Sequence, residues 1–146
     1  MSRPLRLEFS GSLWHVTHRG NCRQNIFHDD DDRNFFLELL GKCVSKYDWI
    51  LAAYVLMSNH YHLVTQLTCA SLSRGVQWLD SRYARYFNRR HGRVGHLYQG
   101  PFHAPLIEKE TYFLEVLRYD ALNPVRAGIV ARPEDYVWSS HAPSSA

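Results

Sequence analysis

The sequence predicts an α+β fold, an antiparallel β-sheet flanked by α-helices in a ferredoxin-like split β-α-β arrangement. Three observations predict it. Two mostly apolar runs, 49–57 and 60–67, are separated only by Ser58-Asn59, a connection short enough to make them an antiparallel hairpin. Two long segments, 29–47 and 71–90, carry apolar residues at helical spacing. The elements then follow as strand, helix, strand, strand, helix, strand, helix. That order gives an antiparallel sheet with helices on one face and the other face free for a ligand.

The first strand covers 12–18 (SLWHVTH), which alternates loosely and is rich in residues suited to a pleated surface. Arg19-Gly20-Asn21 ends it as a turn. Asp29, Asp30, Asp31 and Asp32 supply an N-cap and first-turn acids for a helix through Tyr47, whose apolar residues are Phe35, Phe36, Leu39, Leu40 and Val44. The hairpin follows. The helix over 71–90 repeats Leu72, Val76, Leu79, Tyr83 and Phe87 at three or four residues, and Gly92 and Gly95 break it. Residues 99–107 read as a strand, placed at an edge by Pro101 and Pro105. A last helix over 109–122 closes before Pro124, because the residue preceding proline avoids the helical region. The segment through Pro133 and Trp138 is expected to pack back onto the core.

The 146 residues fit one domain, 1–146. No apolar run approaches a membrane span, and Met1-Ser-Arg-Pro lacks the apolar region of a signal peptide. Cys22, Cys43 and Cys69 are widely spaced and form no CxxC pair, so they read as reduced thiols of a cytoplasmic protein. The formal charge of +3 is uneven. Arg74, Arg82, Arg85, Arg89, Arg90 and Arg93 face a single acid, Asp80, so residues 74–93 carry +5 and the rest −2. A planar guanidinium suits phosphate, which makes polyanion binding one reading and a solvated helix face the other.

Two motifs carry the chemistry. On a strand, His60 and His62 point to one face and Tyr61 to the opposite one, so two imidazoles on a rigid element make half of a metal site. Polar histidines on an exposed sheet face are the alternative. In the last helix, Phe113, Val116 and Leu117 share an apolar sector, while Tyr119 and Asn123 fall together on a different one, a turn apart. A surface tyrosine explains that placement as simply as a functional one. His15 and His18, three apart on the first strand, face opposite ways. Taken together the pieces suit attack on a phosphodiester: a divalent metal polarises the phosphate, and a tyrosine hydroxyl forms a covalent ester that preserves bond energy for rejoining strands.

Several segments resemble REP-associated tyrosine transposases, small bacterial members of the single-tyrosine HUH transposase superfamily. They are Met57-Ser-Asn-His60-Tyr-His62-Leu, Ser73-Arg-Gly-Val, Tyr86-Phe-Asn-Arg-Arg-His91-Gly-Arg, Gly95-His-Leu-Tyr-Gln-Gly100 and Arg118-Tyr119-Asp-Ala-Leu-Asn123-Pro-Val-Arg-Ala-Gly128. The resemblance spans residues 12–140. It implies His60 and His62 as metal ligands, Tyr119 as the nucleophile forming a 5′-phosphotyrosine, and Asn123 as third ligand, where related insertion-sequence transposases often carry glutamine. It implies Mg2+ or Mn2+ as cofactor and single-stranded DNA with palindromic hairpins as partner. A monomer is favoured, with a homodimer possible, and the protein would be cytoplasmic and nucleoid-associated when bound to DNA. Arg82, Arg85, Arg89, Arg90 and Arg93 would then contact hairpin phosphates, and Arg19 and Asn21 would read a guide sequence. Two other functions fit fewer of these residues: a non-catalytic hairpin-binding module, and a metal-dependent phosphodiesterase using water.

Overall fold

The computed structural model describes residues 7–108 and 110–140, with side chains except those of residues 110 and 111. The predicted helix start at Lys109 and the first residues of the chain lie outside that range. The elements are β1 (Leu13–Arg19), α1 (Asp30–Tyr47), β2 (Ile50–Leu56), β3 (His60–Gln66), α2 (Leu72–Arg90), β4 (Leu106–Ile107) and α3 (Glu110–Arg126). Short 3-10 turns at Asn21–Arg23 and Pro133–Asp135 complete them. The sheet is antiparallel, in the order β2-β3-β1-β4. Because β3 lies between β1 and β2, the β1-α1-β2 unit is split, as the sequence predicts.

The period-two alternation divides the sheet into two faces. Trp14, Val16, Tyr61 and Leu63 join Phe36, Leu39, Leu40, Leu79, Tyr83 and Phe87 of α1 and α2 in the main core. Asp29 caps α1, its side chain accepting from the Asp32 N–H at 3.1 Å, and three further acids in the first turn favour the positive helix end. The Trp49 ring packs against α2 at Gly75, its Nε1–H donating to Ser71 Oγ at 3.2 Å. A Cβ at Gly75 would stand 2.2 Å from Trp49 Cζ2, so only glycine permits this approach.

The opposite face is not left free. Ala53, Val64 and Ile107 on it pack against Val116 of α3, with Leu13, Phe113 and Leu117 around them. The expectation of helices on one face fails here because the Phe113/Val116/Leu117 stripe needs an apolar partner and the second sheet face offers one. The α3 helix also runs on through Pro124 to Arg126 rather than closing before it. Proline this close to a helix end forfeits only the bond to the Asp120 carbonyl. The end is then made by Gly128, at φ 74°: its N–H donates to Val125 O, and the Ile129 N–H to Pro124 O, both at 3.0 Å.

The predicted strand over 99–107 shrinks to Leu106–Ile107. Pro101 and Pro105 have no N–H for a ladder, so after an isolated bridge just before it, Gly20↔Tyr98, the segment meets β1 once at Thr17↔His103 before pairing fully. The C-terminal segment does pack back. Leu56 N–H donates to Trp138 O at 2.9 Å, and the buried Tyr136 closes a small cluster with Val55 and Met57. No helix among the described residues is long and apolar enough to cross a membrane.

Candidate active site

The face covered by α3 carries the histidines. His60 and His62 stand side by side on β3, rings almost perpendicular and centroids 4.9 Å apart, while Tyr61 is buried in the opposite face. Strand β1 pairs Thr17 with His62 and Arg19 with His60, and residues directly opposite point the same way. Thr17, His15 and Arg19 therefore share the face.

His62 is held at both ring nitrogens. Its Nδ1 lies 3.1 Å from Thr17 Oγ1, 3.2 Å from His15 Nε2 and 3.5 Å from Asp120 Oδ1, and its Nε2 lies 2.9 Å from the Asn123 side-chain amide. The His15 ring stacks on it at 5.3 Å. Asp120 is fully buried, with Oδ1 also 3.1 Å from His15 Nε2, yet neither carboxylate oxygen accepts an aligned hydrogen bond. With the Asn123 Nδ2 as donor, His62 carries its lone pair on Nε2 and its proton on Nδ1, where Thr17 Oγ1 and His15 Nε2 are the acceptors within reach. His60 reaches the same state separately: its Nδ1 donates to Asn59 Oδ1 at 2.7 Å, leaving Nε2 as its lone-pair nitrogen.

Both imidazoles are kept neutral. Burial, then the Arg19 charge, lowers His60 to about 4, and burial, then His60 and His15, lowers His62 to about 2. The ordinary value is 6.5, so below that pH the unfolded chain takes protons that the folded one refuses. The stability these residues contribute is complete above pH 6.5 and is lost as the pH falls toward the folded values. Melting temperatures should therefore fall between pH 6.5 and about 4.5, and His60→Gln should flatten part of that slope.

The other residues of the site come from α3. Asn123 and Asp120 face the sheet, whereas Tyr119 is 54 % exposed and shares a groove with His15, Tyr112, Glu115 and Val116. The Arg126 guanidinium lies 4.0 Å over the Tyr119 ring and donates to the Tyr119 carbonyl at 2.6 Å, fixing the ring at the solvent edge. The donor set suits a divalent cation: neutral imidazoles, an amide that can offer its oxygen, and a buried carboxylate without a hydrogen-bonding partner. Ligand atoms of His15, His62 and Asp120 lie within 4.8 Å of one another.

Residues 9–119 match the family model described as Transposase IS200 like. The chain belongs to the IS200-like transposase family. The matched span of this transposase includes His15, His60 and His62 and ends on Tyr119. Its fold is that of a REP-associated tyrosine transposase solved bound to a REP hairpin, at 20% identity and a TM-score of 0.80, covering 96% of this chain and 82% of that one. A Deinococcus radiodurans protein described as a transposase is similar at 15% identity and a TM-score of 0.56, covering 81% of this chain and 95% of that one. None of the curated proteins matches the chain.

The arginines singled out in the sequence divide into groups. Arg19 is exposed on the histidine face, and Asn21 sits in the 3-10 turn that follows. Arg82, Arg85 and Arg89 line a groove with Lys42 between α1 and α2, on the side of the sheet away from the histidines. Arg90 is engaged within the protein, at 2.6 Å from Asp29 and 2.7 Å from Asp32. Arg93 holds Gln24, Asn88 and the His96 carbonyl. Sequence reasoning missed Thr17, His15, Asp120 and Arg126. Asp120 was within reach of it, since a residue three before Asn123 lies on nearly the same side of a helix.

Proposed function

We propose that this protein is a metal-dependent endonuclease and strand transferase that cuts single-stranded DNA at palindromic hairpins through a 5′-phosphotyrosine. The observation that carries the reading is the placement of Tyr119, half-exposed on the helix that also presses Asn123 and Asp120 onto His62, the neighbour of His60 on β3. His60, His62 and Asn123 would hold Mg2+ or Mn2+, with Asp120 and His15 behind His62. When bound, the ion neutralises charge on a non-bridging phosphate oxygen. Tyr119 Oη forms a bond to phosphorus as the bond to the 3′ oxygen breaks. The phenol proton leaves to water in the open groove, and the departing oxygen takes one up to become a free 3′ hydroxyl. Attack by a 3′ hydroxyl on the tyrosine ester reverses the step and rejoins strands, which water-based hydrolysis cannot do.

The hairpin partner is supported by the structural neighbour bound to a REP hairpin. Arg19, exposed and opposite His60, would meet the strand entering the site, and Asn21 would read it with Arg19. Arg85 and Arg89 would offer the hairpin stem their guanidinium groups, and Arg82 its own from over the Trp78 ring, 4.7 Å away, with affinity that falls as salt rises. Arg90 and Arg93 act instead in holding the fold. In this reading the protein acts as a monomer.

Incubation with a labelled hairpin oligonucleotide and Mg2+ or Mn2+ should yield cut product and a protein–DNA species that survives denaturation, both lost on chelation. Cut product without the covalent species would favour a water-using hydrolase. Binding without any product at high protein would favour a binding module.

A further inference from the structure

We infer that the protein carries a second metal site, built from His28, Asp32 and His91 where the start of α1 meets the end of α2, for a borderline transition-metal ion such as Zn2+. One ligand atom from each residue lies within 4.8 Å of the others. Asp32 is fully buried, and its two oxygens have divided roles. Oδ1 is fixed by Arg90 at 2.7 Å and by the Tyr86 hydroxyl at 3.1 Å. Oδ2 faces outward to His91 Nε2 at 2.9 Å and takes the His28 backbone N–H, also at 2.9 Å. The His28 and His91 rings lie 4.3 Å apart at 50°, and each rests on Phe87.

A carboxylate at a helix start explains why Asp32 accepts the His28 N–H, but it does not require the His91 imidazole to point at the same oxygen with the His28 ring 4.3 Å from that imidazole. The arrangement is that of a carboxylate ligand steadied by hydrogen bonds on its second oxygen, with two histidines completing one face of the coordination shell. Donor bonds of about 2.0–2.2 Å require a tighter cluster than this one, so the ring of His28, the exposed member, would have to turn inward on binding. Two nitrogens and one oxygen select Zn2+, Ni2+ or Cu2+ over Mg2+, which prefers an all-oxygen shell. Asp29, Asp30 and Asp31 add negative charge nearby, against Arg90. This site stands apart from the histidine face of the sheet and is independent of the reading proposed for it. Its effect would be to clamp α1 to the arginine-bearing helix.

The test is a titration of chelator-stripped, full-length protein with Zn2+ in competition with a chromophoric chelator. His28→Gln and His91→Gln should each bind one equivalent fewer than the wild-type protein, with unchanged far-UV circular dichroism. His60→Ala should retain that equivalent. Should His91→Gln fail to fold, His28→Gln decides alone, because an exposed ring is dispensable to the core. Equal stoichiometry in wild type and His28→Gln would overturn the site.

Discussion

Tyr119→Phe is expected to abolish strand cleavage and the covalent protein–DNA species while leaving hairpin affinity within about twofold, since no binding contact is removed. The loss should be on the order of a thousandfold or more, because a covalent pathway without its nucleophile has no residual route. The substitution is a clean one. Tyr119 is 54 % exposed, so deleting its hydroxyl strips no buried group of a partner. The phenyl ring that remains still lies under the Arg126 guanidinium, 4.0 Å away in the native protein. A gel-shift assay and a cleavage assay on one preparation check both halves. Retained cleavage would move the nucleophile to water.

Asp120→Asn is expected to weaken binding of Mn2+ by roughly tenfold to a hundredfold, the usual cost of losing a carboxylate behind a ligating histidine. The carboxylate is buried, lies 3.5 Å from His62 Nδ1 and 3.1 Å from His15 Nε2, and accepts no aligned hydrogen bond. Such a group is costly to bury in the absence of a cation and is compensated in its presence. Asparagine has the same shape without the charge. The metal-free variant should therefore melt at the same temperature or higher, even as its metal affinity drops. A residue serving only the fold would do the reverse, lowering the melting temperature and leaving the affinity alone. Manganese titration followed by magnetic resonance, with thermal melts of the stripped protein, separates the two.

The parts of this site that are local in sequence were legible in it. Alternation along a strand puts His60 and His62 together whatever the rest of the chain does, and Ser58-Asn59 between two apolar runs announces the hairpin. Helical spacing likewise separates Tyr119 from the Phe113/Leu117 stripe. What could not be read depends on long-range pairing. His15 joins His62 only because β1 pairs with β3 in a register that opposes Thr17 to His62, and nothing in 12–18 specifies that register. Asp120 becomes a partner of the histidines only because α3 covers the second sheet face, which the order of elements left open. The arginine run shows the same limit. Charge counting treats Arg90 and Arg85 alike, yet one is tied to Asp29 and Asp32, which lie some sixty residues earlier, and the other lines an open groove.

The most direct measurement is to locate the DNA on the protein. Wild-type protein reacted with a hairpin oligonucleotide and Mn2+ would be digested with nuclease and protease and mapped by mass spectrometry. A nucleotide joined through its 5′ phosphate to the peptide containing Tyr119 is the predicted result. Attachment to another residue, or cut DNA with every peptide unmodified, would contradict it.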